Sequence, residues 1–205
     1  MLKVVLFIAF LGHILCGICD CLLGYSPSGR LDLKGALKSS DRMREVFKDY
    51  PAKWALISII LGTCAITMFG FGYLELSKWM TEYSLVASRI MYISAVVFSI
   101  SIVVHHTIFA LIEWLYVRLG RTDEAKDVIL EFTKKTIVTM IVGYLGLITF
   151  VVTLFIMVLT GKTPLPQWTC VINTLPLMLL LTPTKLPAKG NIAGAIMYLG
   201  LFILL

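Results

Sequence analysis

Asp20 and Glu113 are carboxylates set inside long apolar runs of a chain that is 59% hydrophobic and only 15% charged. Close to them in the apolar segments stand His13, His105 and His106, with Thr63, Cys64, Tyr144, Asn173 and Thr174 elsewhere in the runs. A carboxylate in hydrocarbon costs at least a few kcal/mol, so it faces a bundle interior or water, finds a partner, and marks a functional site by default. Histidine beside a carboxyl group in an apolar pocket is the standard equipment for moving protons, because each environment can bring proton affinity into a useful range. Such a pair suits isomerisation, ester or amide hydrolysis, or protonation of an alkene in a lipid-like substrate. Proton relay in a carrier uses the same residue types.

Spacing supports a common site. Positions seven apart on a helix return to within about 20° of one face, so His13 and Asp20 share a stripe, as do His106 and Glu113. Counting back from helix ends at Leu23 and Val117 puts the two carboxylates in one layer near a membrane face and the histidines in another, with Asn173 and Thr63 level with the histidines. At about 1.5 Å rise per residue the layers are roughly 10 Å apart, too far for one metal ion to hold His13, Asp20, His106 and Glu113 together. A zinc site would need His13, His106 and a third group such as Asn173 or Cys64, and the expectation is no metal. Tyr144, Trp114, Asn173, Thr63 and Arg30 are expected to shape a ligand pocket. The bland reading of His13 is interhelical hydrogen bonding, and His105, turned about 100° from His106, is read as structural.

The elements that must carry these groups are membrane helices. A mean hydropathy of +0.91 excludes a soluble enzyme, a nucleic-acid reader or a secreted disulfide scaffold, none of which keeps so much apolar surface from water. Runs near the roughly 20 residues needed to cross hydrocarbon fall at about 3–24, 53–74, 88–117, 132–160, 166–183 and 191–205. The expected architecture is therefore an all-α polytopic integral membrane protein, about six transmembrane helices in a bundle, forming one domain over 1–205. The fifth run holds Pro176 and is expected to be kinked or broken. The first run is read as a span rather than a signal peptide, because no small-x-small cleavage site follows and the run continues through Leu22 and Leu23.

Of the 18 Lys and Arg, only Lys3, Lys78, Arg89 and Lys162 lie outside the first, third and fifth loops. The positive-inside tendency then puts those loops in the cytoplasm and the N-terminus outside, in a multi-pass protein of the cell inner (cytoplasmic) membrane. The net charge of +6 is explained by topology, with no nucleic-acid partner. In the first loop Ser40 and Asp41 precede Met43, Val46 and Phe47 at helical spacing, the pattern of a short amphipathic helix at the interface. Thr122 to Glu131 reads as a solvated helical extension of the fourth span. Cys16, Cys19, Cys21, Cys64 and Cys170 read as buried thiols packing as small hydrophobes. Gly143-x-x-Gly146 and Gly70-Phe71-Gly72 read as close helix contacts. Ser26-Pro27-Ser28-Gly29-Arg30 offers a hydroxyl and a guanidinium below Asp20 for a headgroup, although turn formation explains it more simply. No phosphate-binding glycine loop, zinc-protease motif or G-x-S-x-G elbow is present.

The stretch Gly17-Ile18-Cys19-Asp20-Cys21-Leu22-Leu23-Gly24-Tyr25 and the stretch His106-Thr107-Ile108-Phe109-Ala110-Leu111-Ile112 resemble two segments of an uncharacterised prokaryotic family of multi-span membrane proteins, the domain-of-unknown-function family 6796. The first looks like its Gly-Asp-Leu-Leu ending of the first span, with Cys19 where the motif has glycine, and the second like its membrane histidine segment. The resemblance implies that Asp20 and His106 are the site residues and implies no activity. A looser likeness of His106 and Glu113-Trp114 to sterol-isomerase-type bundles serves only as an analogy for the chemistry.

These observations predict an intramembrane enzyme acting on a lipid or hydrophobic small molecule, with His106 as acid or base, Asp20 as its partner, Glu113 as a second acid and His13 alongside. A small proton-coupled carrier or hydrophobic-ligand-binding protein, and an accessory membrane subunit, are the alternatives. The bilayer and a lipid-like ligand are the expected partners; no cofactor is named, and an oligomer is compatible with the sequence.

Overall fold

The computed structural model describes all residues 1–205 as an all-α bundle. Four helices are long and apolar enough to cross a membrane: Leu2–Gly24, Ala52–Glu82, Leu85–Arg118 and Asp123–Leu159. Helix α1 (Leu2–Gly24) ends where Tyr25 turns extended. A two-residue turn at Pro27-Ser28 then pairs Tyr25 with Arg30 and Ser26 with Gly29, so the serine-rich stretch is a hairpin. Short helices α2 (Leu33–Ala36) and α3 (Ser40–Phe47) follow. Asp32 caps α2 by accepting from the Gly35 N–H at 2.9 Å, and Ser39 caps α3 by accepting from the Arg42 N–H at 3.2 Å.

Helix α4 (Ala52–Trp79) runs beyond the expected end at 74, and α5 (Leu85–Arg118) is 34 residues long with Ser84 as its cap. The charged extension predicted for the fourth span is helix α6 (Asp123–Thr136), joined at Ile137 to α7 (Val138–Leu159). The fifth run is indeed broken, but at Asn173, between a 3-10 segment Gln167–Ile172 and α8 (Thr174–Leu181). Pro176 sits in the first turn of α8, where its missing N–H costs little. Helix α9 (Lys189–Leu204) has 16 residues, about 24 Å, which is less than the roughly 30 Å hydrocarbon core.

The helices pack in the order α9, α1, α4, α5, α7, and α8 with the 3-10 segment closes the ring between α7 and α9. Glycines set the closest approaches. A Cβ on Gly12 would lie 2.8 Å from the Ala65 carbonyl oxygen of α4, and one on Gly146 would lie 2.9 Å from the Phe98 nitrogen of α5, the close backbone contact that small residues permit in membranes. An aromatic core of Phe69, Tyr73, Phe98, Phe150 and Tyr198 fills the centre.

A second apolar cluster forms under one end of the bundle, where Met43 and Phe47 of α3 meet Tyr50, Tyr116 and Ile129. The amphipathic helix of the first loop therefore buries its apolar face against protein. Polar ties hold the cationic loops at this same end. Arg44 pairs with Asp123 at 2.6 Å, Arg121 Nε donates to the Phe47 carbonyl at 3.0 Å, and Arg30 donates to the Lys185 carbonyl at 2.9 Å.

Candidate functional site

Asp20 of α1 and His106 of α5 meet on the wall of a cavity of about 510 Å³. Their nearest atoms, Asp20 Oδ1 and His106 Nδ1, are 3.7 Å apart. Sequence counting placed these groups in layers roughly 10 Å apart, and the structure corrects this. His106 lies twelve residues before the end of α5, whereas Asp20 lies four before the end of α1. Since the two are level, α5 overhangs α1 by about 12 Å. The folded first loop fills the space beneath α1 and covers that overhang, so the two helix ends are not a common depth reference.

Each member of the pair is held from behind. Ser58 Oγ donates to the Cys19 carbonyl at 3.1 Å, and the Ser58 carbonyl lies 3.1 Å from His106 Nε2. A carbonyl only accepts, so Nε2 carries a proton and donates it there, with Ser58 Oγ also 3.1 Å away. In the neutral imidazole Nδ1 then presents its lone pair to Asp20. The other carboxylate oxygen, Oδ2, accepts from Asn191 Nδ2 at 2.8 Å. Asn191 Oδ1 accepts in turn from His13 Nδ1 at 3.0 Å.

His13 is sandwiched between the rings of Phe69, centroid distance 4.3 Å, and Tyr198, 5.5 Å. Two glycines make room for the imidazoles. A Cβ on Gly62 would strike the His106 ring, and one on Gly194 would strike the His13 ring. The result is a continuous polar line from His13 through Asn191 and Asp20 to His106 and Ser58.

Asp20, His106, His13, Tyr144 and Arg30, all expected at the site, line this one cavity, as does His105, whose Nδ1 is 3.4 Å from Thr139 Oγ1. Gly24, Arg30, Pro187 and Lys189 stand at the loop end of the cavity and His13, Phe69 and Tyr73 deeper in the bundle. The remaining expected residues are elsewhere. Glu113 is buried in the overhanging part of α5 between Ile112 and Tyr116 of the second cluster, and neither carboxyl oxygen has a hydrogen-bond partner. The seven-residue spacing puts it on the face of His106 but, at two turns further along, beyond the cavity. Trp114 packs on the same second cluster. Thr63 is exposed and bonds back to the Ile59 carbonyl at 2.8 Å. Asn173 caps α8 and donates to the Val151 carbonyl at 3.0 Å.

Three residues of the site went unread in the sequence. Cys16 was assigned to packing, yet its Sγ, an Asp20 oxygen and a His106 ring nitrogen all lie within 4.8 Å of one another. The i, i+4 spacing of Cys16 and Asp20 was its available signal, since it puts both on one helix face. Asn191 and Ser58 carried no spacing signal, because their partners are 171 and 48 residues away in sequence. All five cysteines are free thiols. A larger groove of about 750 Å³ at the other end of the bundle is lined by Glu75, Lys78 and Arg89 and contains no histidine or cysteine.

The model of a family of unknown function, DUF6796, matches residues 1–204. The chain belongs to that family. No curated protein and no solved structure matches it.

Proposed function

We propose that the protein is an intramembrane enzyme that acts on a lipid or other hydrophobic small molecule by acid–base chemistry at Asp20 and His106. The observation that carries this reading is the facing of His106 Nδ1 and Asp20 Oδ1 across 3.7 Å on a cavity wall. Two lone pairs that face each other in a poorly solvated site favour a cation between them. The substrate supplies it: His106 Nδ1 takes a proton from a bound substrate as general base, the electron pair of the broken bond stays on the substrate, and Asp20 stabilises the imidazolium that forms. The hydrogen bonds from Asn191 and to Ser58 fix both groups before substrate arrives.

Substrate class follows from the lining. Phe69, Phe98, Ile102 and Leu147 offer an apolar chamber, while Arg30 and Lys189 at the loop end suit a polar or anionic head. Neither cation is paired with a carboxylate; each donates instead to a backbone carbonyl, Arg30 to Lys185 and Lys189 to Thr182. Tyr144 offers a hydroxyl on the wall to orient a bound molecule. The bias of Lys and Arg toward three loops supports a multi-pass topology in the cytoplasmic membrane with the N-terminus outside.

The test is turnover in reconstituted vesicles. Wild type, Asp20→Asn and His106→Ala are incubated with a lipid extract and a panel of hydrophobic esters, and products are followed by mass spectrometry. Wild type is expected to form a product that both variants lose at least a hundredfold. Equal conversion by all three refutes the enzyme reading. Movement of a compound across the vesicle wall without chemical change, lost in the same variants, would instead identify a carrier.

A further inference from the structure

We propose that Cys16, Asp20 and His106 bind a divalent metal ion of the zinc class, with a fourth coordination position open to the cavity. The inference takes the site of the proposed function and puts a metal ion where that reading has a proton. Donors on a tetrahedral zinc, with bonds of about 2.0–2.3 Å, stand roughly 3.3–3.8 Å apart. The three candidate donor atoms already lie within 4.8 Å of one another, and the Asp20 Oδ1 to His106 Nδ1 separation of 3.7 Å falls inside that range. It is also too long for a direct hydrogen bond.

Orientation agrees with distance. Because Nε2–H is committed to the Ser58 carbonyl, the free lone pair of His106 is on Nδ1, the nitrogen nearest the carboxylate. A ligand histidine whose other N–H is held by a carbonyl, beside a ligand carboxylate that is itself hydrogen-bonded, is the usual supporting shell of a metal centre. Asn191 provides the latter through its 2.8 Å bond to Asp20 Oδ2.

The charge balance fits a membrane interior. A thiolate, a carboxylate and a neutral imidazole around a divalent cation sum to zero, whereas the ionised side chains alone would be costly to bury. Sulfur, nitrogen and oxygen donors together suit zinc rather than magnesium or calcium. Cys16 and Asp20 come from one face of α1 and His106 from α5, so the donors stand on packed helices rather than on loops. Three protein ligands with an open fourth place are the pattern of catalytic zinc, and here that place faces a cavity of about 510 Å³.

Cobalt(II) tests this directly. Purified full-length protein in detergent is stripped with a chelator and titrated with cobalt chloride, following the thiolate-to-cobalt charge-transfer band and the visible bands of a tetrahedral ion. One equivalent is expected, displaced by zinc. Cys16→Ser should lose the charge-transfer band and Cys64→Ser should keep it. Asn191→Ala should keep the band but weaken binding about 10–100-fold. Circular dichroism confirms that each variant is folded. No band in the wild type, or the same band in folded Cys16→Ser, overturns the metal site. The two proposals fail separately: turnover that needs His106 without cobalt binding leaves acid–base chemistry alone, and cobalt binding without turnover leaves a metal site that is not an enzyme's.

Discussion

Replacing Gly62 with alanine drives a methyl group into the His106 imidazole. The added Cβ would stand 2.6 Å from the ring Cδ2 and 3.1 Å from Cε1, whereas carbon atoms rest about 3.5–4.0 Å apart. Gly62 and His106 are on packed helices, so the ring must retreat by about 1 Å. That motion stretches the Nε2 contacts to the Ser58 carbonyl and hydroxyl, both 3.1 Å, to about 4 Å, beyond hydrogen-bond reach. The lost bond costs about 1 kcal/mol and the stranded donor a further 1–3 kcal/mol, while alanine returns about 1 kcal/mol of helix propensity.

The net is a destabilisation of about 1–3 kcal/mol. For a chain of this size that lowers the unfolding temperature by roughly 2–12 °C, readable by a thermal melt in detergent. Gly190→Ala is the control, because nothing lies within 4 Å of its Cβ position; it should match the wild type or exceed it slightly. If Gly62→Ala melts with Gly190→Ala and binds cobalt as the wild type does, His106 is not seated on Gly62 and the site geometry is wrong.

Two further outcomes follow from residues outside the cavity. Glu113→Met replaces a buried carboxyl that has no hydrogen-bond partner with an apolar group of similar volume, so stability should be equal or up to about 2 kcal/mol higher, with turnover unchanged; a lower melting temperature would show that Glu113 is satisfied. Asp32 is held below the ordinary carboxylate range by the Gly35 N–H and by Arg42. A lowered folded value means its contribution is present above the ordinary aspartate pKa near 4 and fades as pH falls through the folded value. Hydrogen exchange at the Gly35 amide, normalised for its intrinsic pH dependence, should therefore quicken in acid, and Asp32→Asn should abolish that dependence.

Much of the scaffold was legible because hydrophobicity is a local property. The four long helices follow from apolar runs, and the charged extension at Asp123–Thr136 from alternating charges at helical spacing. The hairpin at Tyr25–Arg30 was marked by its proline, serine and glycine. The break before α8 was expected from Pro176 yet came at Asn173, whose side chain accepts from the Leu175 N–H and so offers the backbone an alternative to the continuing helix. The short helix α3 was recognised by its spacing, but what its apolar face met was not, because an amphipathic stripe fits protein or lipid equally well.

The sequence by itself determined the helical membrane class and put forward Asp20, His106, Glu113 and His13 together, because an ionisable group in an apolar run is conspicuous without any partner in view. Only the tertiary structure decided that these two meet, that Glu113 does not join them, and that Cys16, Asn191 and Ser58 complete the cluster. The physical reason is the axial offset between helices. Periodicity assigns a residue to a face of its own helix, but the level of α5 relative to α1 is set through α4, by the close approaches of Gly12 to the α4 backbone and of Gly62 and Gly70 to side chains of α5, and by the loop folded beneath α1, and a difference of two turns is enough to exchange one carboxylate for the other.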